Sequence, residues 1–232
     1  MGDAASSPDA QIDRAATLTY WNSISPNVSG MLGGYPQISR IDLQGSANFL
    51  AKLRRPYPET PPVLRRGVDC GAGIGRVTAG FLSKVCEVVD VVEPVEKFAN
   101  EATKAKLSGK GRVGDVCVTG LEDWKPATAT YDLIWNQWCL GHLTDQQMVE
   151  HLKRCKDALT QSGWIIVKEN LSTDTGGADV FDEVDSSVTR SDRKLQELYQ
   201  QAELKIIKSE LQTGFPKGLY PVRLYALRPN IT

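Results

Sequence analysis

Val68-Asp69-Cys70-Gly71-Ala72-Gly73-Ile74-Gly75-Arg76 decides the fold of this 232-residue chain. Upstream, Val63 and Leu64 open a run with strand character; downstream, Val77 to Val85 has the pattern of a helix. Three glycines between strand and helix let the backbone turn sharply and approach a ligand closely. The next strand-like run, Val88 to Val92, ends in Glu93, which falls 20 residues after Gly73. A nucleotide-binding βαβ unit sets a carboxylate at that distance, against ribose hydroxyls. The dinucleotide fingerprint G-x-G-x-x-G/A needs a small sixth residue, and here that position is Arg76. The spacing is instead G-x-G-x-G with Asp69 two residues ahead, which disfavours a nicotinamide-dependent oxidoreductase.

Outward from this turn, strand and helix patterns alternate. Strands are predicted at 64–69, 87–92, 111–117, 131–136 and 163–169, and helices at 74–85, 94–107, 144–160 and 189–203. Such alternation builds a parallel sheet with helices on both faces. Leu204–Leu211 and Leu219–Leu227, joined by Gly214-Phe215-Pro216-Lys217-Gly218, break the alternation and predict an antiparallel pair at the end. Before the core, Gln11–Ile24 reads as a helix with Ile12, Ala15, Ala16 and Thr19 at helical spacing. Gly30-Met31-Leu32-Gly33-Gly34-Tyr35-Pro36 reads equally as a lid over a cleft or as a connector. Ile38–Leu53 reads as a second helix, and four prolines between Arg54 and Pro62 end it in a linker. The expected organisation is a disordered tail at 1–10, an N-terminal helical extension and lid at 11–62, and an α/β core at 63–232. Met1-Gly2-Asp3-Ala4-Ala5-Ser6 meets the bare myristoylation pattern, but no second membrane signal accompanies it.

Composition narrows the function classes. There are 27 basic and 28 acidic side chains. Neither a basic excess for a nucleic-acid groove nor a basic tract for a membrane surface is present. Five scattered cysteines without a C-x-x-C pair suggest reduced thiols in a cytosolic or nuclear protein. Two histidines are too few for a histidine-rich metal site.

Ligands of such sheets bind beyond the carboxyl ends of the strands. The strand ends carry, in order, the glycines with Arg76; Glu93; Gly120-Leu121-Glu122-Asp123-Trp124 beside a prospective adenine; Asn136-Gln137-Trp138-Cys139-Leu140-Gly141-His142; and Lys168-Glu169-Asn170. His142, in a loop before the Thr144 cap, is a candidate general base; the alternative is a loop histidine bonded to backbone. Trp138, four residues before it, is a candidate substrate contact or core filling. His151, between Glu150 and Lys153 inside a helix, reads as a solvated surface residue. Asp174, Asp179, Asp182, Glu183 and Asp185 form an acidic stretch that reads as a solvated loop or as a site for a cationic substrate.

Asp69–Arg76, Gln137-Trp138 with Gly141-His142-Leu143-Thr144-Asp145, and Val184-Asp185-Ser186-Ser187-Val188 together resemble the eukaryotic protein N-terminal (α-N) methyltransferases. So do Tyr20-Trp21, Met31-Leu32-Gly33-Gly34-Tyr35 and Tyr220-Pro221-Val222; the likeness runs from about Tyr20 to Arg228. It implies the seven-stranded, Rossmann-like sheet of S-adenosylmethionine (SAM)-dependent methyltransferases, and an enzyme that methylates the α-amine of X-Pro-Lys/Arg N termini. By resemblance, Gly71, Gly73 and Arg76 hold the methionine part of SAM, Glu93 holds its ribose, and Leu121 and Glu122 flank its adenine with Gln137 nearby. Trp138 contacts the substrate proline, Asn170 binds the amine, and Asp182 and Asp185 receive the third-residue cation. His142 and Asp185 help remove the amine proton. Tyr20, Trp21, Leu32, Ile38, Ser187 and Tyr220 complete the peptide channel. Some family members carry Asp where Glu93 and Glu169 stand; neither exchange removes the carboxylate. A small-molecule SAM methyltransferase and a catalytically silent methyltransferase-like adaptor are the alternatives, and the expected assembly is a monomer.

Overall fold

The computed structural model describes residues 7–57 and 61–230. In chain order its elements are α1 (Arg14–Ser23), α2 (Val28–Met31), α3 (Ser39–Arg54), β1 (Leu64–Cys70), α4 (Ser83–Val85), β2 (Cys86–Val92), α5 (Glu96–Lys104), β3 (Arg112–Cys117), β4 (Tyr131–Gln137) and α6 (Asp145–Ala158). There follow β5 (Leu159–Asn170), β6 (Val180–Asp182), β7 (Ser187–Thr189), α7 (Asp192–Gln201), β8 (Leu204–Leu211) and β9 (Val222–Pro229).

Seven strands form one sheet in the order β3-β2-β1-β4-β5-β9-β8. β1 to β5 run parallel, and β9 lies antiparallel between β5 and β8. This is the seven-stranded methyltransferase sheet with its antiparallel C-terminal pair, as expected. Period-two alternation sorts the side chains to two cores. Leu133, Trp135, Trp164, Ile166, Leu224 and Ala226 face α3 and the helix after β1, against Phe49, Leu50 and Phe81. Ile134, Ile165, Val167, Tyr225 and Leu227 face α6 and α7, against Leu152, Cys155, Leu195 and Leu198. Both faces are covered, so the strands read as apolar runs rather than as half-polar ones. The connections reverse direction between β1 and β4, which opens a crevice at their carboxyl ends.

Several elements depart from the sequence reading. The helix expected at 74–85 contains a π-helical segment, Thr78–Leu82, ahead of α4. Its first turn is held by Asp69, whose Oδ2 accepts from the Thr78 amide (2.9 Å) and hydroxyl (2.6 Å). The acidic stretch is not a plain loop, because β6 and β7 pair as a two-stranded ribbon. In α1 the buried residue is Thr17, while Ala15, Ala16 and Thr19 are exposed. The Thr17 hydroxyl lies at 3.2 Å from the Ser186 carbonyl, so the helix docks by a polar contact that apolar spacing does not signal. His151 is fully buried rather than solvated: its Nε2 lies 2.8 Å from Asn136 Oδ1, and burial, then Arg154, pushes its pKa down to about 3. Of the expected tail, residues 1–6, with Gly2, lie outside the described residues. Pro8–Gln11 forms a 3-10 turn, and Asp9 Oδ2 accepts from the Asp145 amide at 3.0 Å.

Candidate active site

The crevice holds two cavities that meet. The first, about 1060 Å³, lies over the glycine turn and is lined by Gly71, Gly73, Arg76, Glu93, Leu121, Glu122 and Gln137. All seven residues expected to hold the nucleotide thus come together. Gly71, Gly73 and Gly75 have φ of +64°, +55° and +75°, a region that side chains with a Cβ rarely adopt. A Cβ on Gly73 would also stand 2.7 Å from Met31 Sδ, but that thioether can move aside, so it is the φ of +55° that favours glycine there. Glu93 Oε2 accepts from the Gly73 amide (2.8 Å) and Oε1 from the Val95 amide (2.9 Å). Burial pushes its pKa up to about 7, and these two donors pull against that rise. Burial raises Asp69 to about 6.

Behind the first cavity lies a network whose centre the sequence did not reveal. Asp42, on α3, is fully buried and receives Arg76 Nη1 at 2.7 Å and Lys168 Nζ at 2.5 Å. Gln137 Nε2 donates to the same carboxylate at 2.9 Å, and Gln137 Oε1 accepts from Trp135 Nε1 at 3.0 Å. Burial alone would raise the Asp42 pKa, but Lys168 and Arg76 outweigh it and hold it below its ordinary value. Gln137 therefore spends its amide inside the protein, on the Arg76 side of the cavity. Arg76 uses Nη1 there and has further N–H donors for an anion. A carboxylate-bearing nucleoside fits these residues: an arginine for its acid, a ribose-distance carboxylate, and a glycine floor.

The second cavity, about 1440 Å³, is lined by Leu32, Ile38, Asn170, Asp182, Asp185, Ser187 and Tyr220. Tyr20 lines neither cavity; burial, and then the charges of Asp185 and Asp182, raise its phenol pKa. Of the acidic stretch, Asp182 and Asp185 reach the cavity. Asp174 instead accepts from the Gly176 amide and Asp179 from the Ser191 amide. Trp21, Met31, Trp138 and His142 line both cavities and form the wall between them.

Polar atoms on this wall and beside it in the second cavity are unmet. Trp138 Nε1, His142 Nδ1 and Asp185 Oδ1 are buried without a hydrogen-bond partner. A buried unpaired polar group costs about 1–3 kcal/mol, so a ligand that meets these atoms recovers that cost. Trp138 and Ser186 also hold left-handed backbones, φ +53° and +54°. Burial keeps the His142 imidazole below its ordinary pKa, against the opposing pull of the Asp185 carboxylate and the Ser186 carbonyl.

Support comes from residues around the wall, of which no motif announced Arg190, Arg14 or Lys97. Arg190, 2% exposed, donates from Nη1 to the Leu140 carbonyl and from Nη2 to the Leu143 carbonyl, which brace the His142 turn. Glu169 Oε1 accepts from the Cys139 and Leu140 amides, both at 2.9 Å, and burial pushes its pKa up to about 7. From above, α1 bridges the cavities. Arg14 pairs with Glu122 at 2.6 Å, and Trp21 Nε1 donates to His142 Nε2 at 3.1 Å. Lys97 Nζ donates to the Asn22 and Ile24 carbonyls at 2.7 and 2.6 Å.

Comparison with known proteins agrees with this geometry. The family described as AdoMet dependent proline di-methyltransferase matches residues 9–228. The chain is 43% identical over 215 residues to "Alpha N-terminal protein methyltransferase 1" of Schizosaccharomyces pombe, covering 92% of this chain and 94% of the relative. It is 41% identical over 211 residues to "N-terminal Xaa-Pro-Lys N-methyltransferase 1" of Mus musculus, covering 90% and 92%. Among solved structures, a SAM-dependent methyltransferase of Leishmania major superposes with a TM-score of 0.84 at 36% identity, over 92% of this chain and 82% of that one.

Proposed function

The chain belongs to the family of AdoMet-dependent proline di-methyltransferases, and from that premise we infer that it methylates the α-amine of proteins with an exposed X-Pro-Lys/Arg N terminus. The observation that carries the reading is the pair of cavities sharing the wall Trp21, Met31, Trp138 and His142. One cavity suits a nucleoside and the other, lined by Asp182 and Asp185, suits a cationic peptide end.

S-adenosylmethionine, which becomes S-adenosylhomocysteine, supplies an electrophilic methyl group as a sulfonium. Gly71, Gly73 and Arg76 would hold its methionine part, Glu93 its ribose, and Leu121 and Glu122 would flank its adenine. On the other side Trp138 packs on the substrate proline and Asn170 binds the amine. Asp182 and Asp185 attract the third-residue lysine or arginine, and Leu32, Ile38, Ser187 and Tyr220 wall the channel. Within the N-terminal extension α1 acts as a lid, since it contacts Glu122 on the first cavity and His142 on the wall shared with the second.

A protonated amine cannot attack. An α-amine titrates near ~8 and a lysine side chain near ~10.4, so at pH 7 neutralising them costs about 1.4 and about 4.6 kcal/mol. The α-amine is the easier target, and His142 with Asp185 removes its proton. Holding the amine in line with the methyl group across the shared wall is the remaining task, one of positioning. The enzyme acts as a monomer without nucleic acid or membrane, and its five free cysteines suit the reducing cytosol or nucleus.

Mass spectrometry of a Ser-Pro-Lys peptide incubated with protein and SAM, beside an N-acetylated copy, tests the reading. Methyl masses are expected on the free peptide alone. Methylation of both peptides would move the target to the lysine side chain, and methylation of neither would return the small-molecule enzyme or the silent adaptor.

A further inference from the structure

Asp42 stands between two cations. Its Oδ2 takes Arg76 Nη1 at 2.7 Å and its Oδ1 takes Lys168 Nζ at 2.5 Å, and the Asp42 and Lys168 side chains are both fully buried. Lys168 meets further acceptors: the Asp42 carbonyl at 3.0 Å, the Ser46 hydroxyl at 3.0 Å and Gln212 Oε1 at 2.9 Å. Gln212 donates from Nε2 to the Thr213 carbonyl at 2.8 Å, so its oxygen is the atom turned toward Lys168. The Asp42 carboxylate, the Asp42 carbonyl and the Gln212 oxygen have no proton to give. Together they ask for three N–H donors, which lysine has as the ammonium. Burial holds the Lys168 pKa below the ordinary lysine value, and Asp42 pulls against that fall.

The cluster thus sets two positive charges on one carboxylate. The acids lining the first cavity do not complete it. Asp69 is bonded to Thr78, Glu93 to the Gly73 and Val95 amides, and Glu122 to Arg14. A charge taken out of water needs a partner, and Lys168 holds one oxygen of the carboxylate that Arg76 uses. We propose that Lys168 is a positioning residue for the carboxylate of the cofactor: by sharing Asp42 it leaves Arg76 with an unspent positive charge at the cavity. This rests on the nucleoside reading of the first cavity given above. Arg76 lines that cavity, whereas Lys168 and Asp42 line neither, so both act through the arginine. The Arg76 guanidinium also lies 5.6 Å from the centre of the Trp138 ring, so the carboxylate and the indole fix it from two sides. Without the Lys168 charge, Asp42 becomes the counter-ion of Arg76 alone, and an incoming carboxylate meets a pair that is already neutral.

Equilibrium binding of two nucleosides tests this without any peptide. S-adenosylhomocysteine carries the carboxylate. 5′-Methylthioadenosine has the same nucleoside and a thioether but no carboxylate. In Lys168→Gln, calorimetry should find S-adenosylhomocysteine bound about 30-fold more weakly than in wild type, with methylthioadenosine within about twofold. The glutamine amide can still donate to Asp42, which keeps Arg76 and Gln137, so this variant leaves no buried charge without a partner. Adding Asp42→Asn to Lys168→Gln restores the surplus charge on Arg76 and should bring S-adenosylhomocysteine back to within about fivefold of wild type. A packing role for Lys168 gives the opposite result, because losing the second partner would deepen the defect. Unchanged S-adenosylhomocysteine binding in Lys168→Gln, parallel loss of both nucleosides, or a double variant no stronger than the single one would overturn the inference. A wild-type protein that binds neither nucleoside refutes the nucleoside reading itself, whereas those outcomes refute only the part given to Lys168.

Discussion

The two cavities are built on opposite principles. The nucleoside cavity is assembled from short stretches at successive strand ends, 71–76, Glu93 and 120–122, roofed by α1, and its carboxylates are already met, Asp69 and Glu93 by backbone or hydroxyl donors and Glu122 by Arg14. The peptide cavity gathers Trp21, the 31–38 turn, the 138–142 loop, the β6–β7 ribbon and Tyr220, and three buried polar atoms stay unmet, one on Asp185 and two on the wall it shares with the first cavity. The difference teaches that one half is finished before its ligand arrives, while the other is completed by it. Occupancy of the first should therefore survive damage to the second.

The sharpest way to break that separation is Asp185→Asn. Methyl transfer is expected to fall about 10³-fold, while calorimetry finds SAM affinity within about twofold, too little to count as a lost charged contact. Equal falls in turnover and SAM affinity would show that the halves form one unit. Next in size, exchanging the third-residue lysine of the peptide for glutamate should weaken peptide binding about 100-fold, from loss of a charge-assisted contact and a gained repulsion; fluorescence anisotropy reads it, and equal binding would remove the role of Asp182. In the reverse direction, Glu93→Ala should weaken SAM binding about 10-fold and leave peptide affinity unchanged.

The smallest effect concerns stability. Glu169 has its pKa raised from 4.5 to about 7 by burial. The folded state therefore holds this proton more tightly than the unfolded chain. Stability from this group is fully present below pH 4.5 and lost as pH rises through 7. Glu169→Gln keeps an oxygen for the Cys139 and Leu140 amides and is neutral at every pH. Its melting temperature should exceed wild type by about 3 °C at pH 8, with no gain at pH 4.5. Thermal denaturation of the ligand-free protein at the two pH values measures the difference; a gain equal at both would detach it from the carboxylate.

The same contrast explains what the sequence revealed. The glycine turn, Glu93 and the strand ends are local signals, so the parallel sheet and the nucleoside cavity were legible from spacing alone. Asp42 was not. It lies in a helix of mixed pattern, and its partners Arg76, Gln137 and Lys168 are 34, 95 and 126 positions away, so only the fold joins them. Arg190 was hidden in the same way, as one more cation before a helix. The reading of His151 as solvated failed because Glu150 and Lys153 lie on other faces of α6, while position 151 points at the sheet. For the peptide cavity the acidic stretch gave only half the answer. It marked the right segment, and the ribbon pairing chose which acids turn inward.

Trp138 and Ser186 are neither glycine nor asparagine, yet each keeps a left-handed backbone beside the cleft. Such a conformation costs an ordinary residue about 1–2 kcal/mol. A glycine at position 138 would relax the chain and remove the ring that separates the two cavities. Directed evolution for heat resistance alone should therefore drift toward glycine at these two places and yield robust proteins with poor turnover. Selection that also demands methylation should hold both positions fixed, so the pair marks where durability and activity are in conflict.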